Sequence, residues 1–154
     1  MLITHITKSY KQTQKLGENL ALQLRASTEL SRTSSGQIKE NKKTAMVLAL
    51  SGNLGGGKTT FLQGFAKGLG IKEKILSPTF VIMKKFGNFY HIDCYRLKNE
   101  KDILELGFKE IIKNPKNIVA IEWPEKIKKI LPKNTILIKF KFIDKNKREI
   151  IFKV

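Results

Sequence analysis

"SGNLGGGKTT", residues 51–60, decides the fold, because it joins a short apolar run to an amphipathic one through a turn crowded with glycine. Before it, "AMVLAL" (residues 45–50) is continuously apolar, as a strand buried on both faces of a parallel sheet must be. After it, Phe61, Leu62, Phe65, Ala66 and Leu69 recur on one helical face, and Gly70 is placed to end that helix. Gly52 and Gly57, four residues between them, are followed by Lys58 and Thr59, which satisfies G-x-x-x-x-G-K-S/T. Backbone N–H groups that curl around phosphate oxygens need residues tolerant of positive φ, and the next helix turns its positive end on the same anion. In that chemistry Lys58 neutralises the outer phosphates and the Thr59 hydroxyl ligates magnesium. A plain flexible turn is the alternative, but the flanking strand and helix agree with the motif.

Outward from this turn, strands and helices alternate. Ser9 and Gln12 have the spacing of a capping box, and Leu16, Leu20 and Leu24 share one face, which predicts a helix over residues 10–25. Residues 27–44 are polar without apolar period and read as a flexible loop. "TFVIMKKF" and "NFYHIDCYRL" flank Gly87-Asn88 and predict two strands joined by a tight turn. Asn99 caps a predicted helix over residues 100–113, followed by a buried strand "NIVAIE", a short basic helix "PEKIKKI" and a closing hairpin around residues 144–146. The order favours an α/β fold with a mixed, mainly parallel central sheet flanked by helices, in one P-loop domain over residues 1–154.

Composition bounds the function. No apolar run approaches the roughly 20 residues of a membrane span, so a cytoplasmic protein without a membrane role is expected. The lone Cys94 cannot form an internal disulfide, suits a reducing compartment and reads as packing. The formal charge of +17 invites a nucleic-acid reading, yet lysine supplies 26 of the 30 basic residues and arginine only four. Arginine is the bidentate reader of phosphates and bases, so the dispersed lysine reads first as solvated surface and second as contact with RNA or an acidic partner. No DNA partner is expected.

Magnesium at a phosphate loop also needs a carboxylate at a strand end. Glu122 closes the apolar "IVAIE" and fits that role, against a strand-end salt bridge. Asp93 closes the more mixed "FYHID", where it positions water or caps a turn. In "SPTF", Pro78 extends the residue before it and leaves Thr79 at a strand entrance, which reads equally as a nucleotide-sensing segment and as a plain Ser-Pro turn. Alternation puts His91 and Asp93 on one strand face, with a packed histidine the commoner outcome for His91.

The ordered set "GNLGGGKTT", "SPTF", "HIDCYRL" and "IEWPE" resembles the TsaE (YjeE) family of small P-loop ATPases of tRNA threonylcarbamoyladenosine synthesis, from about Leu48 to Glu125, and more weakly around "TQKLGENLA". The resemblance implies Mg-ATP binding and hydrolysis in support of modification beside the anticodon, with TsaD and TsaB as protein partners and weak or indirect contact with tRNA. It implies that Gly55, Gly56, Gly57, Lys58, Thr59 and Thr60 bind phosphates, that Thr59 and Glu122 hold magnesium, that Thr79 falls in a switch-like segment, and that Lys58, Asp93, Glu122 and Thr79 serve catalysis. Adenine contacts near Ser9 and Tyr10 are also implied. Asn53 departs from the family's usual aspartate. Trp123 follows the metal acid, with no role derived.

Two rivals stand beside this reading: a stand-alone small-molecule P-loop kinase and a basic RNA-binding module. Neither of the small-GTPase patterns N/T-K-x-D and D-x-x-G occurs. Only Arg96 and Arg148 follow the phosphate loop, which leaves a kinase lid little material and predicts slow hydrolysis until a partner completes the site.

Overall fold

The computed structural model describes residues 1–30, 43–77 and 81–153. Thr79 and most of the expected loop over residues 27–44 lie outside the described residues. Seven strands among those described, β1 (Leu2–Thr7), β2 (Met46–Ser51), β3 (Met83–Phe86), β4 (Phe89–Asp93), β5 (Ile118–Glu122), β6 (Ile136–Phe142) and β7 (Arg148–Lys153), form one sheet in the order β1-β7-β6-β2-β5-β4-β3. The central strands β6, β2, β5 and β4 run parallel. Hairpins make β3 antiparallel to β4 at one edge and β7 antiparallel to β6 at the other, and β1 pairs antiparallel with β7, so that it runs in the direction of the central strands. The mixed α/β sheet is the expected one.

Among the described residues four α-helices accompany it: α1 (Tyr10–Leu30), α2 (Lys58–Gly68), α3 (Glu100–Leu104) and α4 (Phe108–Lys113). One face of the sheet packs Leu48, Leu50 and Phe140 against Phe61 and Phe65 of α2, with Leu16, Leu20 and Leu24 of α1 closing the layer. The other buries Val47, Ile92, Val119 and Ile121 under Ile103, Phe108 and Ile127. Burial of each such side chain contributes about 1.5–3 kcal/mol, so both layers hold the strand ends in fixed register. No helix among the described residues is long and apolar enough to cross a membrane.

Local chemistry explains where the elements begin and end. Gln12 N donates to Ser9 Oγ at 3.2 Å and Lys8 N to Gln12 Oε1 at 2.7 Å, so the anticipated capping box starts α1. That helix outruns the expected stop at residue 25, and within the added turn the Ser27 and Thr28 hydroxyls bond back to the Gln23 and Leu24 carbonyls, both at 2.9 Å. The single helix expected over residues 100–113 is two: Gly107, at φ 82°, breaks it between α3 and α4. Asn99 Oδ1 does cap α3, accepting from Lys101 N at 2.9 Å. "PEKIKKI" forms a 3-10 helix (Pro124–Ile130) with a kink at Ile127. Strand β1 has no counterpart in the sequence reading; it is an exposed edge strand whose only buried residue is Thr7.

Helices α1 and α2 cross almost backbone to backbone. A Cβ on Gly64 would lie 1.8 Å from the Gln14 carbonyl oxygen, and one on Gly17 2.1 Å from that of Phe61. The helix that starts at the phosphate loop is thereby fixed against the N-terminal helix. Gln14 Nε2 donates to Gln63 Oε1 across the crossing, at 3.0 Å.

Candidate phosphate and metal site

The C-terminal ends of parallel β2, β4 and β5 converge on a cleft of about 540 Å³ lined by Gly55, Gly56, Gly57, Lys58, Thr59, Thr60, Asp93 and Glu122, with Leu54, Ser77, Val81, Ile82, Tyr95, Arg96, Trp123 and Arg148 completing the wall. Parallel sheets put ligand clefts at this end because the loops leave there and the helix N-termini point there. The residues expected to bind phosphate and magnesium and to serve catalysis, Thr79 apart, line this one cleft, whereas Ser9 and Tyr10, expected near adenine, are not part of its wall.

The loop follows β2 and turns sharply at Gly52, φ 136°, where a Cβ would stand 2.4 Å from the Phe140 carbonyl oxygen on β6. Gly57, φ 96°, delivers the chain into α2. Lys58 folds back into the loop, donating to the carbonyls of Gly52 (2.5 Å) and Asn53 (3.1 Å). The Asn53 carbonyl also accepts from Gly56 N at 3.0 Å. Both contacts recorded for residue 53 use its main chain, so carboxamide in place of carboxylate leaves them intact. Lys58 is only 5% exposed, and burial pushes its ammonium below the ordinary lysine value, opposed by the carboxylates of Glu122, Asp93 and Glu125. Its Nζ also sits 4.5 Å from the centroid of the Trp123 ring, a cation–π contact.

Strands β4 and β5 pair with Asp93 opposite Glu122. Thr59 Oγ1 donates to Glu122 Oε1 at 3.2 Å, which brings together the two residues expected to ligate magnesium. Glu122 is 2% exposed. Among the described residues no group of three or more His, Cys, Asp or Glu side chains gathers as a metal-ligand set. A hydroxyl and one carboxylate suit magnesium, which keeps waters and takes further oxygens from phosphate, and so the donor set fits that ion. Asp93 is otherwise engaged: Oδ1 accepts from Tyr95 N at 2.9 Å and Oδ2 from Ser77 Oγ at 3.0 Å. It caps the turn after β4 and ties the segment before residue 78 to the site. The Cys94 thiol is buried and pushed up to about 12, first by burial, then by Asp93 and Glu125, so it is a packing group rather than a nucleophile.

Three features escaped the sequence reading. Trp123, at φ 57° and ψ 53°, is the one non-glycine residue with positive φ among the described residues, and its ring meets Tyr95 at 5.0 Å. Backbone in this region costs about 1–3 kcal/mol and marks a position the surroundings over-determine. Arg148, set aside with Arg96 as poor material, reaches the loop: its Nε donates to Gly55 O at 3.2 Å while Nη1 donates to Asp144 O and Lys147 O and the guanidinium covers Phe142. Thr13 of α1 would lie 3.7 Å from a Cβ on Gly57, and its hydroxyl bonds that of Thr7 at 2.8 Å, so the chain's start flanks the loop too.

The family model described as "Threonylcarbamoyl adenosine biosynthesis protein TsaE" matches residues 7–150. The chain is 40% identical over 114 residues to the tRNA threonylcarbamoyladenosine biosynthesis protein TsaE of Bacillus subtilis, covering 71% of this chain and 70% of that protein. It is 32% identical over 111 residues to the Haemophilus influenzae protein of the same name, covering 70% of each. The crystal structure of Bacillus subtilis YdiB superposes with a TM-score of 0.72 at 28% identity, over 99% of this chain and 84% of that one.

Proposed function

The chain belongs to the TsaE family, and from that premise we propose that it is a magnesium-dependent P-loop ATPase supporting tRNA threonylcarbamoyladenosine formation in the cytoplasm, together with TsaD and TsaB. The observation that carries this reading is the Thr59–Glu122 hydrogen bond at the strand ends, beside a glycine loop that already encloses Lys58. In the proposed mechanism Gly55, Gly57 and Thr60 offer backbone N–H groups to the phosphates, Gly56 joins them once its N–H leaves the Asn53 carbonyl, and Lys58 sets its charge against the outer ones. Thr59 and Glu122 hold magnesium, which when bound supplies charge neutralisation at the transferring phosphoryl group. Asp93 holds Ser77, and Thr79 is assigned to sensing the outer phosphate.

Arg148 donates to three carbonyls and so braces the loop rather than reaching for a phosphoryl group. An arginine supplied in trans to a P-loop site raises hydrolysis by ~10³–10⁵-fold, which is the gain a partner would bring here. Weak or indirect contact of the surface lysines with tRNA belongs to the same reading. The test is phosphate release from Mg-ATP with and without purified TsaD–TsaB. Slow release alone, faster release with the pair, and loss of both in Lys58→Ala are expected. Turnover undiminished in Lys58→Ala would show that the site lies elsewhere, and label passing to a small-molecule acceptor would favour a kinase.

A further inference from the structure

His91 is wholly buried, and neither ring nitrogen completes a hydrogen bond among the described residues. A histidine of this kind would ordinarily be replaced by an apolar side chain, because a buried donor or acceptor without a partner destabilises the fold. Its position argues for another reason to be there. His91 faces the α2 side of the sheet: on β4, Phe89 lies in the layer under α2 and Ile92 in the opposite one. On β5, Ala120 is its register partner, and Glu122 lies two residues further on. The imidazole Nε2 thus stands 3.4 Å from Glu122 Oε1.

Both recorded contacts of the Glu122 carboxylate fall on that one oxygen, Thr59 Oγ1 from one side and His91 Nε2 from the other. Among the described residues Oε2 has none. A carboxylate oxygen can only accept, so when this 3.4 Å contact closes into a hydrogen bond Nε2 is its donor. Groups that hold a metal-binding carboxylate in place govern affinity at a distance from the ion, and polar contacts in an empty site are often long and tighten when it fills. We propose that His91 is a positioning residue for Glu122: its Nε2–H fixes Oε1 deep in the sheet and leaves Oε2 directed to the magnesium side of the cleft. The inference rests on the nucleotide reading given above and adds to it a residue that touches neither nucleotide nor metal.

The experiment is calorimetric titration of the full chain with ADP, once in EDTA and once with magnesium, for the wild type, His91→Met and His91→Gln. Methionine keeps the volume and removes the donor, whereas glutamine restores an N–H. His91→Met is expected to bind ADP in EDTA as the wild type does, to lose roughly 10-fold or more of the magnesium-dependent gain in affinity, and to melt at the same temperature or higher. His91→Gln should recover most of that gain. A magnesium gain unchanged in His91→Met would overturn the inference, as would equal weakening with and without the metal, which is the mark of a merely structural role. Should His91→Met not fold, a full wild-type magnesium gain in His91→Asn, whose shorter arm cannot reach Glu122, would overturn it instead. A wild-type chain that binds no ADP, or gains nothing from magnesium, would remove the nucleotide reading itself.

Discussion

Replacing Gly64 with alanine tests the α1–α2 crossing that fixes the phosphate-loop helix. The new Cβ would meet the Gln14 carbonyl oxygen at 1.8 Å, its carbon at 2.5 Å and its Cα at 2.8 Å. Ordinary contact between such atoms begins near 3.5 Å, so the helices must separate by roughly 1.5 Å along that line. The obstacle is backbone inside a continuous helix, which cannot rotate away as a flexible side chain would. Overpacking of this kind costs about 1–3 kcal/mol, and with backbone on both sides the upper end applies. Alanine recovers about 1 kcal/mol through helix propensity. The net loss is therefore about 2 kcal/mol, which for a chain of this length lowers the melting temperature by about 4–8 °C. In urea, with a slope of about 2 kcal/mol/M, the midpoint should fall by about 1 M without a change of slope. Because α2 begins at Lys58, ADP affinity should fall in parallel. A melting temperature equal to or above that of the wild type would refute the reasoning, since it would mean that the crossing is looser than described.

Arg148→Ala removes a charge-assisted bond to Gly55 O, worth about 1.5 kcal/mol when the donor is half-buried, and should weaken ADP binding about 10-fold by calorimetry; unchanged affinity would show that the hairpin does not brace the loop. Lys58→Met should abolish ADP binding without lowering the melting temperature at neutral pH. The sign follows from the lowered pKa of Lys58: the unfolded chain holds that proton more tightly, so the ammonium costs stability at low and neutral pH and the cost is relieved as pH rises towards 10.5. The stability difference between the methionine variant and the wild type should accordingly narrow in alkaline melts, and a difference that widens would contradict the burial of this ammonium.

Local chemistry made much of the fold and site legible before any coordinates. A continuous apolar run, a glycine turn and an amphipathic helix each carry their own signature, which is why β2, the loop and α2 were read to within three residues. Glu122 was legible because an acid ending an apolar strand is conspicuous. Strand β1 was missed because an exposed edge strand lacks the apolar density that separates strand from coil. The break at Gly107 was missed because the apolar spacing of Ile103, Leu104, Phe108 and Ile111 continues across it. Arg148 meets Gly55 only through the strand order, which puts β7 beside β6 and β6 beside β2. No local pattern encodes a contact between residues 93 apart. His91 looked like any packed histidine until the register set it diagonal to Glu122.

Lysine dominates the chain's net charge of +17, yet that is not the field a ligand meets inside the cleft. There Lys58, Arg96 and Arg148 are set against Asp93 and Glu122, and Lys58 feels Glu125 as well. The wall is close to electrical balance, and Arg148 is turned to carbonyl oxygens. A polyphosphate arriving alone would meet two carboxylates at short range with little surplus cation to offset them. Dispersed surface lysines, screened over about 8–10 Å of salt solution, draw anions towards the molecule without settling what is held. On the proposed function, discrimination would fall to the divalent ion that accompanies the phosphates: the cationic exterior would govern arrival, and the near-neutral interior would select the metal-bound form.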